Sequence, residues 1–478
     1  MGQSFYWYDL ETSGINARWD RIVQFAGLRT DANLQEVGEE YCTYVRLADD
    51  VLPSPDAALV TGITPETTHS RGVSEWQALR QIYQHFSVPG SCVVGYNSLR
   101  FDDEFMRHGF YRALMDPYAR EWQNGNSRWD IIDLVRATGA LRRDGIRWPA
   151  DEEGLPVYRL ERLTQANDLE HGQAHDAMSD VRATLALARL IRARQPKLFD
   201  YYFNARSKKQ IRALLEPFGS RLCVHVSGMY PRKQFGTAPV MSLCRHPQNS
   251  NAIVVADLSR DVESLIQWPE DRIREALFKA DNPERPPLKE IRINRCPFVA
   301  GIEVLTEENW SRLGFDPKVI QERQRRLSKP GIAQKLMHVY RRPKFEAAPD
   351  VEAALYDGFL DEADKARCRS LQTALVEGRW VDLDYADARL KTLAGRLKAR
   401  SFPELMSPDE RADWRDFVAG KLSASDAPWL TLQRFEQRLD ELQVAGVAHP
   451  GSAAAARAEE ILRGLRDHAR RISKAYRP

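Results

Sequence analysis

Long apolar runs are missing from this chain of 478 residues. No segment approaches the ~20 uninterrupted apolar residues that a bilayer crossing needs, which excludes a helical membrane protein. The opening residues, MGQSFYWYDL, lack the basic and then apolar order of a signal peptide, and Tyr6 stands where N-myristoylation needs Ser or Thr. A cytoplasmic protein with no membrane partner is therefore expected. Cysteine pairing is missing too: Cys42, Cys92, Cys223, Cys244, Cys296 and Cys368 are scattered, with no CxxC pair and no zinc-type Cys/His spacing. Free thiols in a reducing compartment are expected. Charge of one sign is also absent, since 69 Lys and Arg against 67 Asp and Glu leave +2. Any surface for nucleic acid has to be a local patch.

What is present is an ordinary globular composition, 43% apolar and 28% charged, in a length that suggests about three domains. The expected fold class is α/β. Residues 1–195 alternate strand-like runs (Ser4–Leu10, Ile22–Arg29, Glu40–Val45, Cys92–Tyr96) with helical periodicity at Trp76–Phe86, Asp103–Leu114, Ile131–Leu141 and Ala177–Ala193. Between the third and fourth runs, Pro53, Pro55 and the turn-like Thr61-Gly62-Ile63-Thr64 predict a loop. Residues 196–348 read as a small, mostly β domain with runs at Leu222–Val226, Val240–Leu243, Ala252–Leu258, Leu288–Ile293 and Val299–Glu303. A linker around Tyr340–Pro349 leads to residues 349–478, a helical domain whose last helix places Ile461, Leu465, His468 and Ile472 on one face.

Asp9-Leu10-Glu11 ends the first strand, so both carboxylates share a face with Leu10 opposite. Paired acids are tolerated when solvated at a strand end or when hard cations lie between them. Two further segments decide between these. Asn97-Ser98-Leu99-Arg100-Phe101-Asp102 follows the strand Cys92–Tyr96, although Asp102 or Asp103 would also serve as a helix N-cap. In His175-Asp176-Ala177-Met178-Ser179-Asp180, Asp176 suits an N-cap, Asp180 lies one turn inside the helix, and His175 lies in the preceding loop. Alone, His175 would read as packing and Asp180 as a helix-dipole partner. Together, Asp9, Glu11, Asp102 and Asp180 with His175 match two-metal phosphodiester hydrolysis, in which two Mg²⁺ ions about 4 Å apart activate a water and stabilise the leaving oxygen. Imidazole suits removal of that water's proton. Glycoside hydrolysis uses paired carboxylates but has no need of four.

Asp9-x-Glu11-Thr12, the run ending at Asp102, and His175-x4-Asp180 resemble the three motifs of the DEDDh, or DnaQ-like, exonuclease superfamily. Beyond them, Val60–Pro65, Asn126–Asp130, Val224–Met229 and Tyr356–Phe359 resemble the bacterial exonuclease I (exodeoxyribonuclease I) family, which degrades single-stranded DNA from 3′ to 5′. The resemblance implies an RNase H-like exonuclease domain with a mixed sheet, an SH3-like domain and a helical C-terminal domain. It implies Asp9, Glu11, Asp102 and Asp180 as metal ligands for Mg²⁺, with Mn²⁺ as a substitute, and His175 as general base. Glu11 and Thr12 would contact the terminal nucleotide, and Arg159, Arg107, Tyr118, Trp122, Arg136, Asn251, Lys289, Asn294 and Tyr356 the DNA strand. Arg and Lys suit phosphates, and Tyr and Trp suit stacking on unpaired bases.

The family also docks the acidic C-terminal tail of single-stranded-DNA-binding protein, for which Arg142, Tyr201 and Arg221 match. Thr306 departs from that surface by standing where a basic residue is expected, which raises a rearranged patch at Arg323, Arg325 and Arg326. Leu10 replaces an aromatic residue but should face the core. The expected role is repair and recombination, as a monomer. Two alternatives remain: a DEDDh ribonuclease trimming RNA 3′ ends, and a non-catalytic single-stranded-DNA-binding adaptor that keeps a nuclease fold.

Overall fold

A computed structural model describes residues 3–170, 172, 176–341, 347–445 and 453–476. The chain forms two compact units, Met1–Ser127 with Gly172–Val181 and Glu346–Pro478, and Arg128–His171 with Arg182–Phe345. No helix among the described residues is long and apolar enough to cross a membrane.

In the first unit, strands β1 (Ser4–Thr12), β2 (Ile22–Thr30), β3 (Tyr41–Val45), β4 (Gly72–Val73) and β5 (Ser91–Gly95) belong to a six-stranded sheet with β6 (Ser127–Asp130), in the order β4-β3-β2-β1-β5-β6. The sheet is mixed, because β2 is antiparallel to β1 and β3 while β5 is parallel to β1. Central β1 is buried on both faces, as its run of aromatic and apolar residues dictates. Tyr6, Tyr8 and Leu10 enter a core with Phe25, Phe86, Phe105 and Phe110, so Leu10 faces inward, opposite Asp9 and Glu11. The β1–β2 register runs Glu11↔Gln24 and then shifts before Thr12↔Ile22, an irregularity that falls directly after the second acid.

The stretch expected to be a loop instead holds two short helices, α1 (Pro55–Thr61) and α2 (Pro65–Arg71). Both begin with Pro at the first helical position, where its missing N–H costs nothing and its fixed φ helps. Gly62 then ends α1 at φ 71°, a conformation glycine adopts without strain. Next come α3 (Glu75–Phe86), closed by a Ser74/Gln77 capping box, and α4 (Asp102–Arg112). The C-terminal helices of this unit supply Leu371, Leu375, Leu390, Leu393 and Leu397 to the β1 core. Ile461, Leu465 and Ile472 pack with Phe435 and Leu439 in a second cluster, on the face their spacing predicts.

The second unit carries α5 (Ile132–Leu141), α6 (Leu160–Ala166) and an antiparallel sheet of β7 (Leu222–Val226), β8 (Thr237–Arg245), β9 (Ala252–Asp257), β10 (Leu288–Arg292) and β11 (Phe298–Gly301) in the order β10-β9-β8-β7-β11. Helix α7 (Ala177–Arg194) runs on from the first unit's residues 177–181. Besides the expected strands, the described residues of 196–348 hold seven helices: Pro196–Asn204, Lys208–Leu215, Glu263–Gln267, Glu270–Phe278, Glu307–Leu313, Pro317–Leu327 and Ile332–Val339. They are short, from 5 to 11 residues, so each carries little helical period and the strands dominated the sequence signal. The last run also ends sooner than expected, at Gly301, and turns into a 3-10 segment at Ile302–Val304. Tyr340, at the start of the expected linker, is 2% exposed and stacks edge-on against Phe278; residues 342–346 lie outside the described residues.

Candidate active site

The chemistry gathers at the C-terminal end of β1. Asp9, Glu11 and Asp180 bring carboxylate oxygens within 4.8 Å of one another. Strand alternation delivers the first two on one face, and the first turn of α7 delivers the third. Asp176 caps that helix as its sequence position predicts: its Oδ2 accepts the Ser179 N–H at 3.2 Å. His175, next to it, lies outside the described residues.

Asp102 and Asp103, adjacent in sequence, have separate tasks. Asp103 is 1% exposed and accepts hydrogen bonds from the Tyr8 hydroxyl (3.0 Å) and from Arg120 (2.7 Å), whose guanidinium lies over the rings of Phe86 and Phe110. Asp102, buried at the start of α4, turns its charge on Asp9 instead. The Asp9 carboxyl is held well above the usual range, first by burial and then by Asp102 and Asp180. Neither aspartate is the cap, since Phe101 holds that position without a side-chain bond.

Glu11 is pushed up to about 9 by burial, then by Asp9, Asp180 and Asp176. Such a cluster of hard oxygen donors cannot ionise fully without added positive charge. The group contains no Cys or His among the described residues, and it fits a hard divalent cation. Thr12, 7% exposed beside Glu11, donates its hydroxyl to the Gly14 carbonyl at 2.7 Å.

The other expected contact residues fall into groups. In the first unit, Arg107, Tyr118 and Tyr356 come together: Arg107 pairs with Glu121 (2.8 Å) and Glu104 (3.1 Å) and lies over the Tyr118 ring, while the Tyr356 hydroxyl donates to Glu104. Arg107 is therefore neutralised within the protein. Trp122, 66% exposed, is a surface aromatic rather than core. In the second unit, Lys289 donates to the Ser227 hydroxyl (2.9 Å) and sits over the Tyr230 ring, and the Arg136 guanidinium packs against Gly228 so closely that a Cβ there would meet it at 2.8 Å. The two cations thus flank one loop. Asn251 accepts the Ile293 N–H next to Asn294. Arg159 is exposed at the start of α6.

Among the partner-docking candidates, Arg142 donates to Val304 O and Asn309, Tyr201 donates to Val299 O, and exposed Arg221 donates to Ala213 O. Thr306 is the N-cap of Glu307–Leu313 in a capping box with Asn309, a task no basic residue could take. The alternative arginines are engaged: Arg323 on Leu258 O, Arg325 on Glu322 and Arg326 on Glu263. All six cysteines are free. No motif marks Asp176 as a fifth negative charge at the cluster, or Gln24 beside it. The signal for Gln24 was a lone amide in the apolar strand Ile-Val-Gln-Phe-Ala-Gly-Leu.

A mixed sheet in this order, with acids converging at the end of its central strand, is the architecture of an RNase H-like exonuclease domain. Residues 6–188 match the family model "Exonuclease", 206–342 "Exonuclease I SH3-like domain" and 349–472 "Exonuclease I C-terminal domain". Exodeoxyribonuclease I of Haemophilus influenzae is 41% identical over 433 residues, covering 88% of this chain and 91% of the relative; that of Escherichia coli K12 is 40% identical over 419, covering 86% and 88%. Exonuclease I of Methylocaldum szegediense superposes with TM-score 0.91 at 41% identity over 98% of this chain and 99% of that one. Escherichia coli exonuclease I in complex with a dA16 oligonucleotide gives 0.91 at 36% identity, over 98% and 100%. A zinc-ion-bound form of the Escherichia coli exonuclease I–ssDNA complex gives 0.91 at 36%, over 99% and 100%. The chain belongs to the exodeoxyribonuclease I family.

Proposed function

We propose that this chain is a 3′ to 5′ exonuclease that degrades single-stranded DNA to 5′-mononucleotides, acting in DNA repair and recombination as a cytoplasmic monomer. The observation that carries the reading is the convergence of Asp9, Glu11 and Asp180 within 4.8 Å, in a chain that matches exonuclease I relatives over most of its length. Two Mg²⁺ ions, or Mn²⁺ in their place, would supply the charge that activates a water and stabilises the leaving oxygen. Asp9, Glu11, Asp102 and Asp180 would hold them. Carboxylates raised first by burial and then by one another's field fit that task, since cations favour their ionised form and relieve the repulsion.

His175 takes the proton of the attacking water. Glu11 and Thr12 hold the terminal nucleotide. Trp122, Tyr118 and Tyr356 offer rings to unpaired bases, and Lys289, Arg136 and Arg159 offer charge to phosphates, with Arg107, Asn251 and Asn294 completing the contacts. Working domains of 1–195, 196–348 and 349–478 divide these tasks. Arg142, Tyr201 and Arg221 take the C-terminal tail of single-stranded-DNA-binding protein.

A gel of 5′-labelled single-stranded DNA, duplex DNA and RNA, with Mg²⁺ or with EDTA, tests the reading. Stepwise shortening of the single-stranded DNA with Mg²⁺ only is expected. Preference for RNA would make the chain a trimming ribonuclease, and tight binding without cleavage would make it an adaptor.

A further inference from the structure

Buried polar side chains persist in a sheet only where they have partners, and Gln24, the third residue of β2, is 3% exposed. In the β1–β2 register it stands directly opposite Glu11. Its Nε2 donates to Asp176 Oδ1 at 3.3 Å and lies 3.7 Å from the Cys42 sulfur. Asp176 uses its other oxygen to accept the Ser179 N–H, and its carbonyl accepts the Asp180 N–H at 3.1 Å. A continuous chain of hydrogen bonds therefore runs from β2, through the cap of α7, to the backbone of Asp180, whose carboxylate meets those of Asp9 and Glu11.

We propose that Gln24 is a positioning residue of the hydrolytic site, holding Asp176 and with it the N-terminus of α7 so that Asp180 meets the carboxylates of β1. The inference rests on the nuclease reading above. The residue type fits the place. A neutral amide donates to Asp176 without placing a positive charge where cations bind, as Lys or Arg would, and without adding another acid to the cluster, as Glu would. Removing the donor frees the cap to turn. A ligand displaced by about 1 Å weakens both cation binding and the reaction.

The test uses the full chain as wild type, Gln24→Ala, Gln24→Glu, and the double variant Gln24→Glu/Asp176→Asn, which exchanges donor and acceptor while keeping the charge of the pair and an N-cap oxygen. Mn²⁺ affinity is measured by calorimetry without DNA, and kcat and KM with a short single-stranded oligonucleotide. The two single variants should each bind Mn²⁺ at least 5-fold more weakly and lose about 10-fold or more in kcat, with KM within 2-fold of wild type. The exchange variant should recover most of both. Single variants that match wild type in Mn²⁺ affinity and kcat would overturn the proposal. So would an exchange variant that melts like wild type yet recovers neither quantity. An inactive wild type that still binds Mn²⁺ more tightly than Gln24→Ala would contradict the nuclease reading while leaving the positioning role in place.

Discussion

Two adjacent aspartates show how narrowly chemistry is assigned at the residue scale. Asp103 neutralises Arg120 in the core, so Asp103→Ala leaves a buried guanidinium uncompensated and should cost about 3–5 kcal/mol. Asp102→Ala should keep the wild-type melting temperature or exceed it, and abolish hydrolysis. Thermal melts beside nuclease assays of the two variants check this; an active Asp102→Ala beside an inactive Asp103→Ala that melts like wild type would reverse the assignment. Glu11 makes a second case, because its carboxyl, ordinarily near 4.5, is held up to about 9 in the fold. The unfolded chain releases that proton first, so the metal-free fold loses stability as pH rises from about 4.5 toward 9. Glu11→Gln removes the penalty. The metal-free variant should melt above wild type at pH 8, by a margin that shrinks toward pH 5, and should not cleave DNA. An equal margin at both pH values would disprove the linkage. That Asp9, Glu11 and Asp180 converge was legible from two short motifs, because strand alternation and helix pitch fix where those side chains go. The partners of Asp103 were not legible, since Tyr8 and Arg120 reach it from distant segments and no local pattern marks a tertiary ion pair.

Elements carry the same lesson. β1 and β2 stood out because buried central strands are long and apolar, and β7 begins and ends where its run predicts. The two-residue β4 and the four-residue β6 are too short to carry a period, and α1 and α2 were hidden by prolines that start them. The last helix, Ala453–Tyr476, shows how one polar residue on an apolar face sets a pH response. His468 is 9% exposed and pushed down to about 4, first by burial and then by Arg471. Its imidazole stays neutral in the fold, whereas the unfolded chain protonates it near 6.5. Its contribution is therefore complete above about pH 6.5 and lost as pH falls toward 4, on the order of 3 kcal/mol across that window. His468→Gln should make the fall in melting temperature between pH 6.5 and 4 shallower than in wild type. An unchanged slope would mean that His468 does not titrate on folding.

At the scale of the whole molecule, the N-terminal sheet and the C-terminal helices form one compact unit through buried charge as well as apolar packing. Asp50 and Glu352 are each 1% exposed. Asp50 pairs with Arg400 and Lys421, and Glu352 with Arg21, Arg396 and Arg400. Burial opposes ionisation of both acids, but the surrounding cations outweigh it and hold them below the usual carboxylate range. Glu352→Ala leaves the guanidinium groups of Arg21, Arg396 and Arg400 short of a partner and should lower stability by about 3–5 kcal/mol in urea titrations at neutral pH. A loss below about 1 kcal/mol would mean that the cations relax to water. The proposed function stands on hydrolysis of a single strand from its 3′ end by the acids at the end of β1. The most direct measurement is a time course on one oligonucleotide labelled at the 5′ end in one sample and the 3′ end in another, with Mg²⁺, for wild type and Asp180→Asn. A descending ladder from the 5′ label and immediate release of a labelled mononucleotide from the 3′ label are expected of the wild type, and neither of Asp180→Asn. A ladder from the 3′ label, or undiminished cleavage by Asp180→Asn, would contradict the proposed function.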